Sequence, residues 1–172
     1  PKIAQISIMG GGLAFGNWTP AAEFNILVDP EAADIVFKSG VPLTMAGLDV
    51  TLKALVFPED FERIRALGNP IAVVVAEWLD FFYNFHRSIG YAGAPVHDAV
   101  AVAALIKPEI LTVKDYYVQV EISGDFCRGA TVADHYGFSH QPPNTHALLD
   151  IDREAFIDLL AEAAAWYGKE LE

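Results

Sequence analysis

The sequence predicts an α/β fold, and three features carry that prediction. An apolar, β-branched run over residues 3–9, a proline-started helix over 29–40 and a second apolar run over 41–50 give the strand, helix, strand order of a parallel crossover. Residues 116–122 and 129–134 alternate in hydropathy on either side of the turn SGDF, which predicts a β-hairpin. An amphipathic stretch opened by Asp152 predicts a final helix running to the C-terminus.

Taken in order, the first run is strand-like from its opening residues, without a polar lead-in, and reads as the middle of a larger sheet. The next stretch, MGGGLAFGNWTPAAEFN, breaks both helical and strand periodicity and is predicted to be a long loop. In DPEAADIVFKSG, Asp29 is placed as N-cap, Pro30 in the first turn, and Gly40 where a left-handed cap is usual. The run VPLTMAGLDV is then read as a strand throughout.

Residues 58–67 predict a short acidic helix, and 71–89 a longer one whose aromatic residues spread around much of its surface. Residues 97–106 predict an apolar helix with His97 and Asp98 in its first turn and Pro108 just beyond its end. A last strand is expected over 147–151. No internal repeat or linker divides the chain, so one domain over 1–172 is expected.

With 172 residues and 53% hydrophobic content, the chain can bury one substantial core. Its formal net charge of -12 opposes binding to nucleic-acid backbones or anionic lipid, because both need a basic face. A neutral or cationic small ligand, or a metal ion, is the easier partner. The single cysteine, Cys127, cannot form an internal disulfide, and no apolar run reaches the length of a membrane span. A cytoplasmic setting is expected.

Chemistry-bearing residues gather in two places. Asn17, Glu23 and Asn25 put amides and a carboxylate beside four glycines in the loop that follows the first strand. Loops at the carboxyl ends of sheet strands are the usual ligand site of open α/β sheets, and paired donors and acceptors suit the hydroxyls of a sugar. GGGLAFG lacks the pattern and the Lys of a phosphate loop. The competing reading is that the two Asn serve turn geometry and Glu23 is solvated. Asp98 is open between helix N-cap and hard-cation ligand, and His97 between proton donor and packed structural residue. His86, His135, His140 and His146 lack metal-site spacing and are assigned surface or loop roles.

The segments IMGGGLAFGNWTPAAEFNILVDPEAADIVFKSGVPLTMAGLDVT and GAPVHDAVAVAALIKPEI closely resemble the inosine-uridine preferring and ribosylpyrimidine nucleoside hydrolases. RGATVADHYGFSHQPPNTH is similar to that family's carboxyl-terminal hairpin and loop. The resemblance implies an open mixed sheet flanked by helices, with a β-hairpin and a C-terminal helix. It also implies cleavage of the N-glycosidic bond of ribonucleosides to ribose and free base, with one calcium ion holding the ribose diol and the attacking water.

By the same resemblance, Met9, Asn17, Glu23, Phe24 and Asn25 surround the ribose. Asp98 ligates calcium, and His97 stands near the nucleobase as a proposed leaving-group acid. FFYNFHRSIGYAGAP matches the base-side region, but Phe85 and Ile89 stand where pyrimidine-preferring members carry Gln and Tyr, leaving His86 and Tyr91 as the base-side candidates.

The family's amino-terminal DxDxGxDDAxA signature, with its further calcium aspartates and general base, does not occur in the chain. A threonine whose backbone carbonyl ligates the metal is missing too. The chain is therefore expected to be the carboxyl-terminal half of the fold, a single partial domain. By itself it is expected to be inactive and to bind calcium weakly, and to associate either as a homo-oligomer or with the missing half. The alternative is a non-catalytic nucleoside- or ribose-binding or interaction module left by truncation.

Overall fold

The computed structural model describes residues 2–169. In chain order, β1 (Ile6–Met9) leads through a glycine-rich loop into α1 (Phe24–Val28) and α2 (Pro30–Phe37). Then come β2 (Leu43–Ala46), α3 (Leu48–Thr51), β3 (Leu55–Val56), α4 (Pro58–Arg65), α5 (Pro70–Ser88), β4 (Ala94–Pro95) and α6 (His97–Ile106). A 3-10 turn at Pro108–Ile110 precedes β5 (Leu111–Tyr116), β6 (Val118–Val120), β7 (Thr131–Ala133), β8 (Thr145–Ile151) and α7 (Arg153–Lys169). These elements form two compact units, residues 2–52 with 97–151 and residues 53–96 with 152–169.

The first unit is built on a four-stranded mixed sheet in the order β1-β2-β8-β5. β1, β2 and β8 run parallel, and β5 lies antiparallel to β8. On one face Leu43, Met45 and Ala147 meet Ile26, Phe37 and Val118, with Ile6 and Ile8 packed against them. On the other, α6 lies over β1 and β2, tied by the Ser7 hydroxyl donating to the Ala101 carbonyl at 2.7 Å. The alternation of Ile6 and Ile8 with Ser7 thus separates the two faces. β6 and β7 pair as the expected hairpin.

The second unit packs α4, α5 and α7 together beside the short antiparallel pair β3 and β4. Asn69 caps α5 by accepting the Ala72 N–H, and its amide nitrogen donates to the Ala164 carbonyl. Asp60 is buried, accepts the Phe57 N–H at 2.8 Å and pairs with Arg153, whose guanidinium lies over the Phe57 ring. Asp152 caps α7 as expected, accepting the Ala155 N–H. No helix of the described residues is long and apolar enough to cross a membrane.

Three expectations need correction. The predicted loop 9–25 ends earlier, because Glu23 starts a short helix there. The second half of VPLTMAGLDV is α3 rather than strand, since an apolar run cannot tell a buried strand from a buried helical turn. β5 was not predicted: its pattern is hidden by an exposed face and by a register shift between Thr112 and Val113.

Candidate functional site

The loop after β1 is held at the carboxyl ends of β1 and β2. Gly11 has φ of 79°, a conformation glycine adopts without steric cost, and its carbonyl accepts the Leu48 N–H at 2.9 Å. At Gly12, a Cβ would meet the Phe15 carbonyl oxygen at 2.3 Å, so this turn also requires glycine. The Thr131 hydroxyl of β7 bonds both the N–H and the carbonyl of Gly12, and Asp49 accepts the Leu13 N–H at 2.7 Å. Sequence reasoning missed Asp49 and Thr131, which no local spacing links to the loop.

Glu23 is the organising residue. It is 2% exposed, and its carboxylate accepts from Gly11 N (2.9 Å), Asn25 N (3.0 Å) and Ile26 N (3.2 Å). The reading of Glu23 as a solvated side chain is therefore wrong: the carboxylate replaces solvent with three backbone amides. It both caps α1 and pins the glycine turn.

Around it, Asn17 Oδ1 accepts the Phe24 N–H at 2.9 Å, and Asn25 Nδ2 lies 3.1 Å from the Met9 sulfur and 3.4 Å from its carbonyl. Phe24 and Trp18 are exposed, with ring centroids 5.1 Å apart. The structure thus gathers Met9, Asn17, Glu23, Phe24 and Asn25 in one loop-and-helix cluster. A depression of about 250 Å³ opens beside Met9 and Asn25. Depressions around Gly40 and Asn144 lie instead at the amino ends of β2 and β8 and touch none of these residues.

His97 and Asp98 open α6. Asp98 is exposed in the first helical turn, where the helix dipole favours a carboxylate, and does not occupy the cap position. His97 Nδ1 lies 2.8 Å from the hydroxyl of Thr51, a fully buried residue of α3. α3 therefore serves both parts of the site: Leu48 and Asp49 bond the glycine loop, and Thr51 bonds His97.

Calcium takes six to eight oxygen ligands. Among the described residues no group of three or more His, Cys, Asp or Glu side chains could hold a metal ion, and Asp98 offers a single carboxylate. These residues alone do not fit a complete calcium site.

In the second unit, His86 and Tyr91 are brought together, ring centroids 5.3 Å apart. His86 is buried among Phe82, Phe85 and Tyr91, its Nδ1 3.0 Å from the Phe82 carbonyl, so its assignment to the helix surface is corrected. His135 and His140 are exposed in the loop after β7, and His146 lies on β8, 2.5 Å from Asp115. These three do not converge on the loop after β1.

Residues 1–158 match the protein family described as inosine-uridine preferring nucleoside hydrolase. The chain belongs to that family. As a nucleoside hydrolase family member, it is 55% identical over 169 residues to the pyrimidine-specific ribonucleoside hydrolase RihA of Salmonella typhimurium, covering 97% of this chain and 54% of that protein. RihA of Klebsiella pneumoniae is 54% identical over the same length. Among solved structures, the purine-preferring ribonucleoside hydrolase from Gardnerella vaginalis superposes with a TM-score of 0.86 at 31% identity, over 96% of this chain and 53% of that one. The plant nucleoside hydrolase PpNRh1 gives 0.81 at 30% identity, over 94% and 53%. The chain thus spans about half the length of the relatives it matches.

Proposed function

We propose that this chain is part of a calcium-dependent nucleoside hydrolase that splits the N-glycosidic bond of ribonucleosides into ribose and free base. The observation that carries the reading is the Glu23-pinned loop, which presents Asn17, Asn25, Phe24 and Met9 together at the carboxyl end of a parallel strand. Asn side chains donate and accept at once, which suits a ribose diol. Pyrimidine ribonucleosides are the first class to test, because the relatives named as pyrimidine-specific share 54–55% of the residues.

Bond cleavage builds oxocarbenium character on the ribose and negative charge on the base. The Glu23 carboxylate next to the sugar loop favours the first, and a donor on His97 favours the second. Asp98 supplies one ligand toward calcium, the ribose diol and the attacking water supply others, and the rest of the six to eight oxygens are assigned to a complementing part of the family fold. In the first unit β1 has β2 as its one strand neighbour among the described residues, and Val102 and Ile106 of α6 are exposed. Both features support association with another part of the family fold, in a cytosolic setting that suits the free Cys127.

The test is turnover of uridine, cytidine and inosine by the chain, its mass verified, alone and after addition of the amino-terminal half of the family fold with calcium. Activity only in the complemented sample is expected. Turnover by the chain alone overturns the need for a complement, and its absence from both samples overturns the enzymatic reading.

A further inference from the structure

We infer that Thr51 is the positioning residue for His97 and holds the neutral imidazole as the tautomer protonated on Nε2. The inference rests on the reading of His97 as the residue facing the departing base. His97 Nδ1 lies 2.8 Å from Thr51 Oγ1, a hydrogen bond that joins residues 46 apart in sequence.

Thr51 is fully buried in the last turn of α3, where no solvent can accept its hydroxyl proton. Among the described residues its hydroxyl has this imidazole nitrogen as its one hydrogen-bond partner. A buried O–H with one acceptor in reach donates to it. A nitrogen that accepts carries no proton, so the single proton of the neutral ring sits on Nε2.

The ring then acts on a ligand as a hydrogen-bond donor without first becoming charged. A departing base accumulates negative charge, and a fixed N–H donor stabilises it with no reorganisation at the moment of cleavage. Histidine without this partner exchanges between two tautomers, and in one of them Nε2 turns a lone pair toward the base. Thr51 removes that state. Leu48 and Asp49 of the same short helix bond the glycine loop, so α3 sets the sugar loop and the imidazole in one frame.

The test needs no turnover. Long-range proton–nitrogen correlation on the 15N-labelled chain, at a pH where the ring is neutral, reports the tautomer directly, with His97 assigned by difference from His97→Gln. A pyridine-like Nδ1, shifted upfield by the accepted hydrogen bond, and a pyrrole-like Nε2 are expected. Thr51→Val should move Nδ1 to the unbonded pyridine-like position, and Thr51→Ser should restore the wild-type pattern. A pyrrole-like Nδ1 in the wild type overturns the inference, as does an unchanged Thr51→Val spectrum. Should Thr51→Val not fold, the wild-type spectrum still decides. Failure of nucleoside turnover overturns the proposed function and leaves this result standing.

Discussion

The Glu23 carboxylate accepts the backbone N–H of Gly11, twelve residues upstream, at 2.9 Å. That bond joins the start of α1 to the turn leaving β1, so the side chains on both sides of the loop share one anchor. Glutamate is not a favoured N-cap residue, and its use here follows from the added reach to Gly11.

Removing this anchor should loosen the fold as well as the site. Glu23→Ala leaves the amides of Gly11, Asn25 and Ile26 without their acceptor. A loss of roughly 2–4 kcal/mol is expected, since each buried orphan donor costs about 1–3 kcal/mol and a lost cap about 1 kcal/mol, with partial relaxation. Urea unfolding measures it. A midpoint equal to wild type would show that solvent replaces the carboxylate without cost.

Asp98 should behave in the opposite way. It is exposed in the first turn of α6 and does not cap it, so Asp98→Asn should change stability by no more than about 0.5 kcal/mol. In the complemented enzyme the same change should lower calcium affinity by an order of magnitude or more, as read by isothermal titration. Unchanged affinity would remove Asp98 from the metal site.

In the second unit, burial raises the Asp60 carboxyl above its usual range despite hydrogen bonding from Phe57 and the charge of Arg153. A raised carboxyl favours the folded state least when ionised, so its contribution weakens as pH climbs from the ordinary 3.8 through the raised value. Asp60→Ala should still destabilise by about 1–3 kcal/mol, because it leaves the Phe57 N–H without its acceptor, while Arg153 keeps Glu154 and the Leu55 carbonyl as partners. A thermal melt matching wild type would contradict that.

Asp134 gives the reverse dependence. Hydrogen bonds from the Ser139 side chain and N–H, and from the Phe138 N–H, hold its pKa at about 2, below the ordinary 3.8. Its contribution to the turn over 134–139 is present above 3.8 and is lost as pH falls through about 2. Carboxylate 13C shifts should titrate near that lower value, and Asp134→Asn should abolish the dependence. A midpoint at the ordinary value would mean the turn is open in solution.

The sequence by itself determined the order of most elements, the α6 start at His97 and the grouping of Asn17, Glu23 and Asn25 near one strand end. Those signals are local: hydropathy period, proline and glycine placement, and short motifs. It did not determine α3, because an apolar run serves strand and buried helix alike, nor β5, whose exposed Lys114 and Asp115 blur the alternation. Only the tertiary structure decided that Glu23 is buried on Gly11, that Thr131 clasps Gly12 across 119 residues, and that His97 meets Thr51 across 46. The first lies within one loop but depends on how that loop folds back on α1, whereas the other two are set by where separate strands and helices bring their ends together, and no window of neighbouring residues contains both of their partners.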